Sequence, residues 1–489
     1  MKILSVIILA FTSVLIYSQD FLLFEDYFTN ETMRIDYHHI GDSKTELFTI
    51  DKIYQYGTWA GRTKNLIDNF NNGKYYVKVY DAASSKLIFS KGLDSYFGEY
   101  PTSSNAIKGI KKAYHESILI PLPKEKIKLS IEKRDVENNL KEIFSSEIDP
   151  KDVSIIKDKI VDSAVKVFNS VYNGDPQKKV DVAIISEGYT ANELGKFRAD
   201  IERFSQILFT QEPYKSNKEK FNIYGVYKPS EESGTDEPLA DIFRNTVLNS
   251  TFNSLGSERY LLTEDNKTLR NLASHVPYDA LYIMVNHKKY GGGGIYNWSC
   301  TFTTDNQWHK YLFLHEFGHS FAGLADEYYT SDTAYEDFFK PTVEPVEPNI
   351  TALLDTANLK WKKWISSGIA LPSFWEKNEF EEMDYKWQDE RRALNNKIAE
   401  LKRNRAPKHE ILEAEEEYNL KDKKHADELD LFLQKTKNYR KVGVFEGAGY
   451  SPKGLYRPMI DCIMFSKGDK PFCRVCEEAI LRVIQFYSE

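Results

Sequence analysis

Leu312-Phe313-Leu314-His315-Glu316-Phe317-Gly318-His319-Ser320-Phe321 places an HExxH pattern inside an apolar run. Positions four apart lie about 40° from one another around a helix axis, so both imidazoles leave the same face. Neutral imidazole nitrogens suit Zn²⁺, and two donors on one rigid element cost little entropy to arrange. Glu316 stands one position round, close enough to reach a water at the metal without being a ligand, which is the place of a general base. The competing reading is a buried helix with two satisfied histidines. It would strand the Glu316 carboxylate among Phe313, Leu314 and Phe317, a costly burial that a metal and its water would offset.

A metal that does chemistry needs a third protein ligand and an open position. Gly323 can adopt the positive φ that ends a helix, and the chain then turns back through Leu324-Ala325 to Asp326-Glu327-Tyr328. Asp326 is the expected third ligand, and Glu327 is its rival.

Outward from this helix, the chain alternates strand and helix patterns. Val180-Asp181-Val182-Ala183-Ile184-Ile185, Phe221 to Tyr227 and Ala280 to Val285 read as buried strands. Thr190 and Glu193 form a capping box before a helix with apolar Phe197, Ile201, Phe204 and Leu208. The pattern predicts an α/β or α+β catalytic domain over residues 173–489. Tyr290-Gly291-Gly292-Gly293-Gly294 lacks the Lys-Ser/Thr of a phosphate loop. It leads into Ile295 to Trp298, either an edge strand above the metal or a surface turn. As an edge strand, Gly293, Gly294, Ile295 and Tyr296 would hold an extended substrate by β-augmentation.

Residues 20–135 carry short aromatic and β-branched runs between turn residues, such as Tyr75-Tyr76-Val77-Lys78-Val79-Tyr80 and Ile118-Leu119-Ile120 ahead of Pro121. They predict a small antiparallel domain, an all-β sandwich. Its His38 and His39 have no third ligand beside them and read as solvated or hydrogen-bonded. Residues 136–172 are charged and helix-prone, a helical linker. Residues 376–440 are dominated by charge, with a sparse apolar stripe through Phe380, Trp387, Leu394, Ile398 and Leu401, and Pro407 divides them. That composition predicts a charged helical hairpin, read as a solvated insertion rather than a grip on a partner.

The chain has 489 residues, 41% of them hydrophobic, with 31 Tyr and 29 Phe, too long for one ordinary domain and able to build sizeable cores. A net charge of −8 with no Lys/Arg cluster argues against a nucleic-acid partner. Lys2, the largely apolar run Ile3 to Ile16 and then Tyr17-Ser18-Gln19-Asp20 follow the order of a secretory signal peptide, residues 1–19. The run is shorter than the roughly 20 residues that span a bilayer. The mature chain is therefore expected to have no integral membrane segment and to be periplasmic, at the cell surface or secreted. Four cysteines, Cys300, Cys462, Cys473 and Cys476, suggest one or two disulfides in that setting. Without a second CxxC, a structural zinc at Cys473-x-x-Cys476 is disfavoured.

His315 through Tyr328 resembles the IgA-peptidase family of metzincin-like zinc enzymes. So do Glu187-Gly188-Tyr189-Thr190, Pro229 to Asp236, Tyr290 to Asn297, and Cys462-Ile463-Met464 followed by Phe472-Cys473-Arg474-Val475-Cys476. The resemblance covers residues 173–489 apart from the hairpin, and the β region before it is similar to the family's N-terminal domain. In metzincins a Gly turn returns a third ligand ten residues after the first His. Here that position is Ala325, which cannot ligate, and Asp326 stands one further on. The resemblance implies a Met-turn role for Met464, a floor beneath the ligands, and it puts Ser466 where some metzincins carry a catalytic Tyr. The expected reaction is hydrolysis of a protein or peptide substrate with one zinc ion and Glu316 as general base, aided by Tyr456, Arg457 or Tyr328 at the oxyanion. The alternatives are a catalytically silent zinc-containing binding module and a scaffold built on the hairpin, which leaves HExxH without a use.

Overall fold

The computed structural model describes residues 22–330 and 339–488. The expected signal peptide, residues 1–19, lies outside the described residues.

The N-terminal part is antiparallel. Strands β1 (Phe28–Gly41), β2 (Glu46–Thr58), β3 (Tyr75–Asp81), β4 (Leu87–Leu93), β5 (Lys112–Pro123), β6 (Ile127–Arg134) and β7 (Leu140–Ile148) make two sheets, ordered β2-β1-β5 and β4-β3-β6-β7. Three one-turn helices, α1 (Phe24–Tyr27), α2 (Tyr96–Glu99) and α3 (Ser104–Ile107), lie among them. Alternating residues face a shared core: Met33, Ile35 and Tyr37 from β1, Val77 and Val79 from β3, Ile118 and Ile120 from β5, Leu129 and Ile131 from β6. His39 is buried and hydrogen-bonded by Glu116 at 2.9 Å and Glu46 at 2.8 Å, a satisfied core histidine.

Residues 136–172 are not a helical linker. They carry β7, which pairs antiparallel with β6, and β8 (Lys166–Val171), which pairs antiparallel with β10 (Phe221–Tyr227). Both are edge strands, and β7 is largely exposed, so their charged side chains sit in solvent. The Lys and Glu content that reads as helix-forming is overridden by ladder pairing. The N-terminal sheet therefore runs past residue 135 to Ile148.

The second part centres on a six-stranded sheet, ordered β12-β13-β11-β9-β10-β8. Strands β9 (Val180–Glu187), β10, β11 (Ala280–Val285) and β13 (Ser299–Thr303) are parallel, and the edges β12 (Gly292–Ile295) and β8 are antiparallel. Every residue of β9 is buried because both faces are covered. Val182 and Ile184 pack against helices α4 (Leu194–Leu208) and α6 (His309–Ala322), while Ala183 and Ile185 face α5 (Asn266–Ala273) on the other side. The Thr190–Glu193 capping box is present at the entry to α4.

Helices α7 (Lys377–Arg403) and α8 (Lys408–Lys435) form the hairpin, with Pro407 at the N-cap of α8. It is docked rather than projecting. Phe380, Leu429 and Leu433 join the main core of the second part, and Trp387, Leu394 and Tyr418 make a small core between the two helices. The ribbon β14 (Phe445–Ala448) and β15 (Ser451–Arg457) follows, then helix α9 (Arg474–Tyr487). Among the described residues no helix is long and apolar enough to cross a membrane.

Candidate metal centre

Helix α6 is buried along most of its length and ends where Gly323 takes φ 61°, donating its N–H to the His319 carbonyl. The left-handed turn reverses the chain so that Asp326 comes back over the histidine face. His315 Nε2 and His319 Nε2 lie 3.1 Å apart, and Asp326 Oδ1 is 3.1 Å from the first and 3.2 Å from the second. This near-equilateral triangle is the donor arrangement of a three-ligand metal site. His315, His319 and Asp326 are the residues that would hold an ion here.

The surrounding contacts orient the donors. His315 Nδ1 donates to the Ile463 carbonyl at 3.0 Å and His319 Nδ1 to the Leu324 carbonyl at 2.6 Å, which leaves both Nε2 lone pairs on the triangle. The Tyr450 hydroxyl donates to Asp326 Oδ2. Asp326 Oδ1 is buried with no hydrogen-bond donor aimed at it, although both Nε2 atoms are within ion-pair distance. An acceptor-only oxygen facing two acceptor nitrogens is what a cation between them would satisfy, so the residues present fit a bound metal. Without the ion, burial opposes charge on His319, but the Asp326 carboxylate overrides it and raises His319 to about 9. Burial also opposes the charge on Asp326, yet the two histidines hold its carboxyl far below the usual range.

Glu316 is 9% exposed, and among the described residues its carboxylate has no hydrogen-bond partner. Burial pushes its pKa up, with His315 and His319 pulling the other way. Met464 is fully buried beneath α6, so close that a Cβ added at Gly318 would meet its Sδ at 2.9 Å.

The edge strand consists of the glycines themselves, Gly292 to Ile295, and the chain leaves it at Asn297 in a left-handed turn. The sequence reading that began the strand at Ile295 is corrected accordingly. Glycine is required here by proximity: a Cβ at Gly292 would come 2.8 Å from Glu316 Oε1, and one at Gly294 would come 2.8 Å from His319 Cβ. Gly293, Gly294, Tyr296 and Tyr328 line one cleft with Glu316 and the triangle. Ile295 points away and packs in the N-terminal core.

Glu327 is not brought to the triangle. Its side chain turns to the opposite side, against Cys462, Cys473 and Cys476. Arg457 is buried and clamps the carbonyls of Gly447 and Ile460. Tyr456 pairs through its backbone with Thr351, and Ser466 bonds Asp461. Of the oxyanion candidates, only Tyr328 lines the cleft. Tyr290, quoted in the sequence only as the start of the glycine run, also lines it, as do Arg259, Tyr260 and Tyr450, which the sequence reading missed. They reach the cleft from loops whose residues carry no periodic signal.

The cleft sets the glycine strand beside the buried Glu316 carboxylate and the donor triangle. The chain belongs to the IgA peptidase M64 family: the family model described as IgA Peptidase M64 matches residues 169–484, and the one described as Peptidase M64 N-terminus matches residues 23–145. Its substrates are accordingly proteins or peptides. No curated protein matches the chain.

Proposed function

We propose that this peptidase is an exported zinc-dependent endopeptidase in which His315, His319 and Asp326 hold one catalytic ion and Glu316 is the general base. The observation that carries the reading is the donor triangle with the unpartnered Glu316 carboxylate beside it. Two imidazoles and one carboxylate with an open side are a donor set that zinc takes in hydrolases. When bound, the ion supplies a Lewis acid at the scissile carbonyl and at the attacking water. Glu316 accepts the water's proton and passes it to the leaving nitrogen, a task suited to a carboxyl whose pKa burial has raised. Tyr328 donates to the oxyanion, a role supported by its being the one of the three expected candidates that lines the cleft.

Gly294 receives the substrate backbone. Thr303 N–H bonds the Gly291 carbonyl on the β13 side, while Gly292 bonds Arg259 and Leu261 on the outer side. In an antiparallel ladder the outward groups recur every second residue, so Gly294 turns its N–H and C=O to the cleft. On the same reading the site is metzincin-like with Met464 as its floor, and the two N-terminal sheets are a β-sandwich. Export rests on the order of residues 1–19.

The test is Glu316→Gln with metal analysis and a peptide-library digest. The variant is expected to keep its zinc and lose at least about 1,000-fold in kcat/KM, the scale of general-base loss together with a misdirected water. Pure wild type that binds zinc but cleaves nothing beyond what the variant cleaves would favour the silent binding module instead.

A further inference from the structure

A second group of metal-type donors lies on the far side of the Asp326-Glu327 segment. Glu327, Cys462, Cys473 and Cys476 bring one carboxylate oxygen and three sulfurs within 4.8 Å of one another, and all four residues are buried. We propose that this cluster is a closed, four-coordinate structural zinc site, separate from the ion of the cleft.

The distances fit. Zinc bonds of about 2.3 Å to sulfur and about 2.1 Å to oxygen separate two sulfurs by about 3.8 Å, and a sulfur from the oxygen by about 3.6 Å, in a tetrahedron. Cys462 Sγ and Cys476 Sγ are 3.9 Å apart, and Glu327 Oε1 is 3.9 Å from Cys473 Sγ and 3.2 Å from Cys476 Sγ. A disulfide needs about 2.05 Å between sulfurs. It would join only two of the three and leave Glu327 uncompensated. All four cysteines of the chain are free thiols, which overturns the disulfide expectation.

The surroundings support a charged cluster. The N–H groups of Cys473 and Met464 point at Cys462 Sγ at 3.1 and 3.5 Å, as donors do towards a bound thiolate. Asn349 Nδ2 donates to Glu327 Oε1 at 3.0 Å, but Glu327 Oε2 is buried with no hydrogen-bond partner among the described residues. A carboxylate enclosed by three sulfurs is expensive without a cation. Three thiolates and one carboxylate with no open side are a donor set for zinc in a structural rather than a catalytic role. Cys473 caps α9 and Cys476 lies in its first turn, so the ion would pin that helix to the Cys462-Met464 segment. The Glu327 N–H bonds the Met464 carbonyl at 2.8 Å, so the same ion would brace the two segments that supply Asp326 and the floor of the cleft.

The test is metal content of the full chain purified without chelators, for wild type, for His315→Ala/His319→Ala, and for Cys473→Ser/Cys476→Ser. Two zinc ions per wild-type chain and one in the histidine variant are expected. Loading the histidine variant with Co²⁺ should give intense sulfur-to-cobalt charge-transfer absorption. That spectrum decides the matter even where the serine variant fails to fold. A folded histidine variant with no metal and no such absorption, or a disulfide found by mass spectrometry among Cys462, Cys473 and Cys476, would overturn the proposal. Because the readout is stoichiometry and a thiolate spectrum, it is independent of whether the cleft cleaves peptides.

Discussion

Gly294→Ala tests whether β12 and helix α6 must stay at their present separation. The added Cβ would lie 2.8 Å from His319 Cβ and closer still to the Glu316 carbonyl oxygen. Carbon atoms in contact rest at about 3.5–4.0 Å, so the strand and the helix must part by roughly 1 Å. Neither obstacle is the tip of a flexible side chain: one is backbone, and the other is the root of an expected ligand. The strain should cost about 1–3 kcal/mol of stability, the usual range for overpacking. It should cost more in rate, because a shift of about 1 Å between the substrate edge and Glu316 is worth on the order of 100-fold. The assay is kcat/KM on an unstructured protein such as casein, with zinc content and thermal melting measured alongside. Gly195→Ala is the control. It lies in α4, outside the cleft, and its Cβ would meet no atom within 4 Å. A folded, zinc-loaded Gly294→Ala that keeps wild-type kcat/KM, or a Gly195→Ala equally impaired, would refute the assignment of that edge.

Two further predictions follow from the hydrogen-bond partners. Tyr450→Phe removes the donor to Asp326 Oδ2 and should weaken zinc binding by about 10-fold in a chelator competition, the lower end for a partner behind a ligand; unchanged affinity would remove Tyr450 from the site. Glu46 is buried against His39 and Lys133; burial alone would raise its pKa, but these cations win and lower it from 4.5 to about 2. Its folded pKa is depressed, so its stabilisation is complete above the unfolded value and is lost as pH falls from about 4.5 to about 2. That gap is worth at most about 3 kcal/mol. Glu46→Gln should therefore destabilise at pH about 6 and much less at pH about 3, measured by urea unfolding; a difference that stays constant over that range would contradict the pairing.

The parts of this molecule legible in its sequence are those fixed by neighbours along the chain. The His315–His319 spacing, the Thr190–Glu193 box and the Gly323 stop each depend on residues within one helical turn, and each has the expected local form. The choice between Asp326 and Glu327 is of another kind. Consecutive residues of the returning segment face opposite ways, so one carboxylate goes to the histidines and the other to the cysteines. Which goes where depends on Cys462, Cys473 and Cys476, more than a hundred residues away. The same distance hid Tyr450, which is 124 residues from the Asp326 it bonds. Strand β7 failed for the opposite reason: its local composition favours helix, and only pairing with β6 makes it extended. The glycine run was ambiguous because glycine is a poor strand former. What selects it is the α6 backbone lying against the strand, a contact no local pattern reports.

That packing also limits how much substrate backbone the edge can hold. The Gly292 carbonyl is already taken by the Leu261 N–H at 3.0 Å, and the Tyr296 carbonyl by the Asp94 N–H at 2.9 Å. Among the described residues only Gly294 between them is left, on the proposed reading, to pair with an extended peptide, at about 1 kcal/mol for each of two hydrogen bonds. The loop that closes the Gly292 end is itself held from behind. Arg391 of α7 lies 3.7 Å from Glu258, and Lys402 lies 3.1 Å from Glu237. The hairpin therefore does more than extend into solvent: it braces the loop that shortens the free edge. With so little backbone pairing, the proposed reading expects discrimination among substrates from side chains meeting Arg259, Tyr260, Tyr290 and Tyr328, which line the cleft. Selectivity should accordingly change when those residues are altered and hold when the outer surface of the hairpin is altered, an outcome that a cleavage-site profile of each variant reads directly.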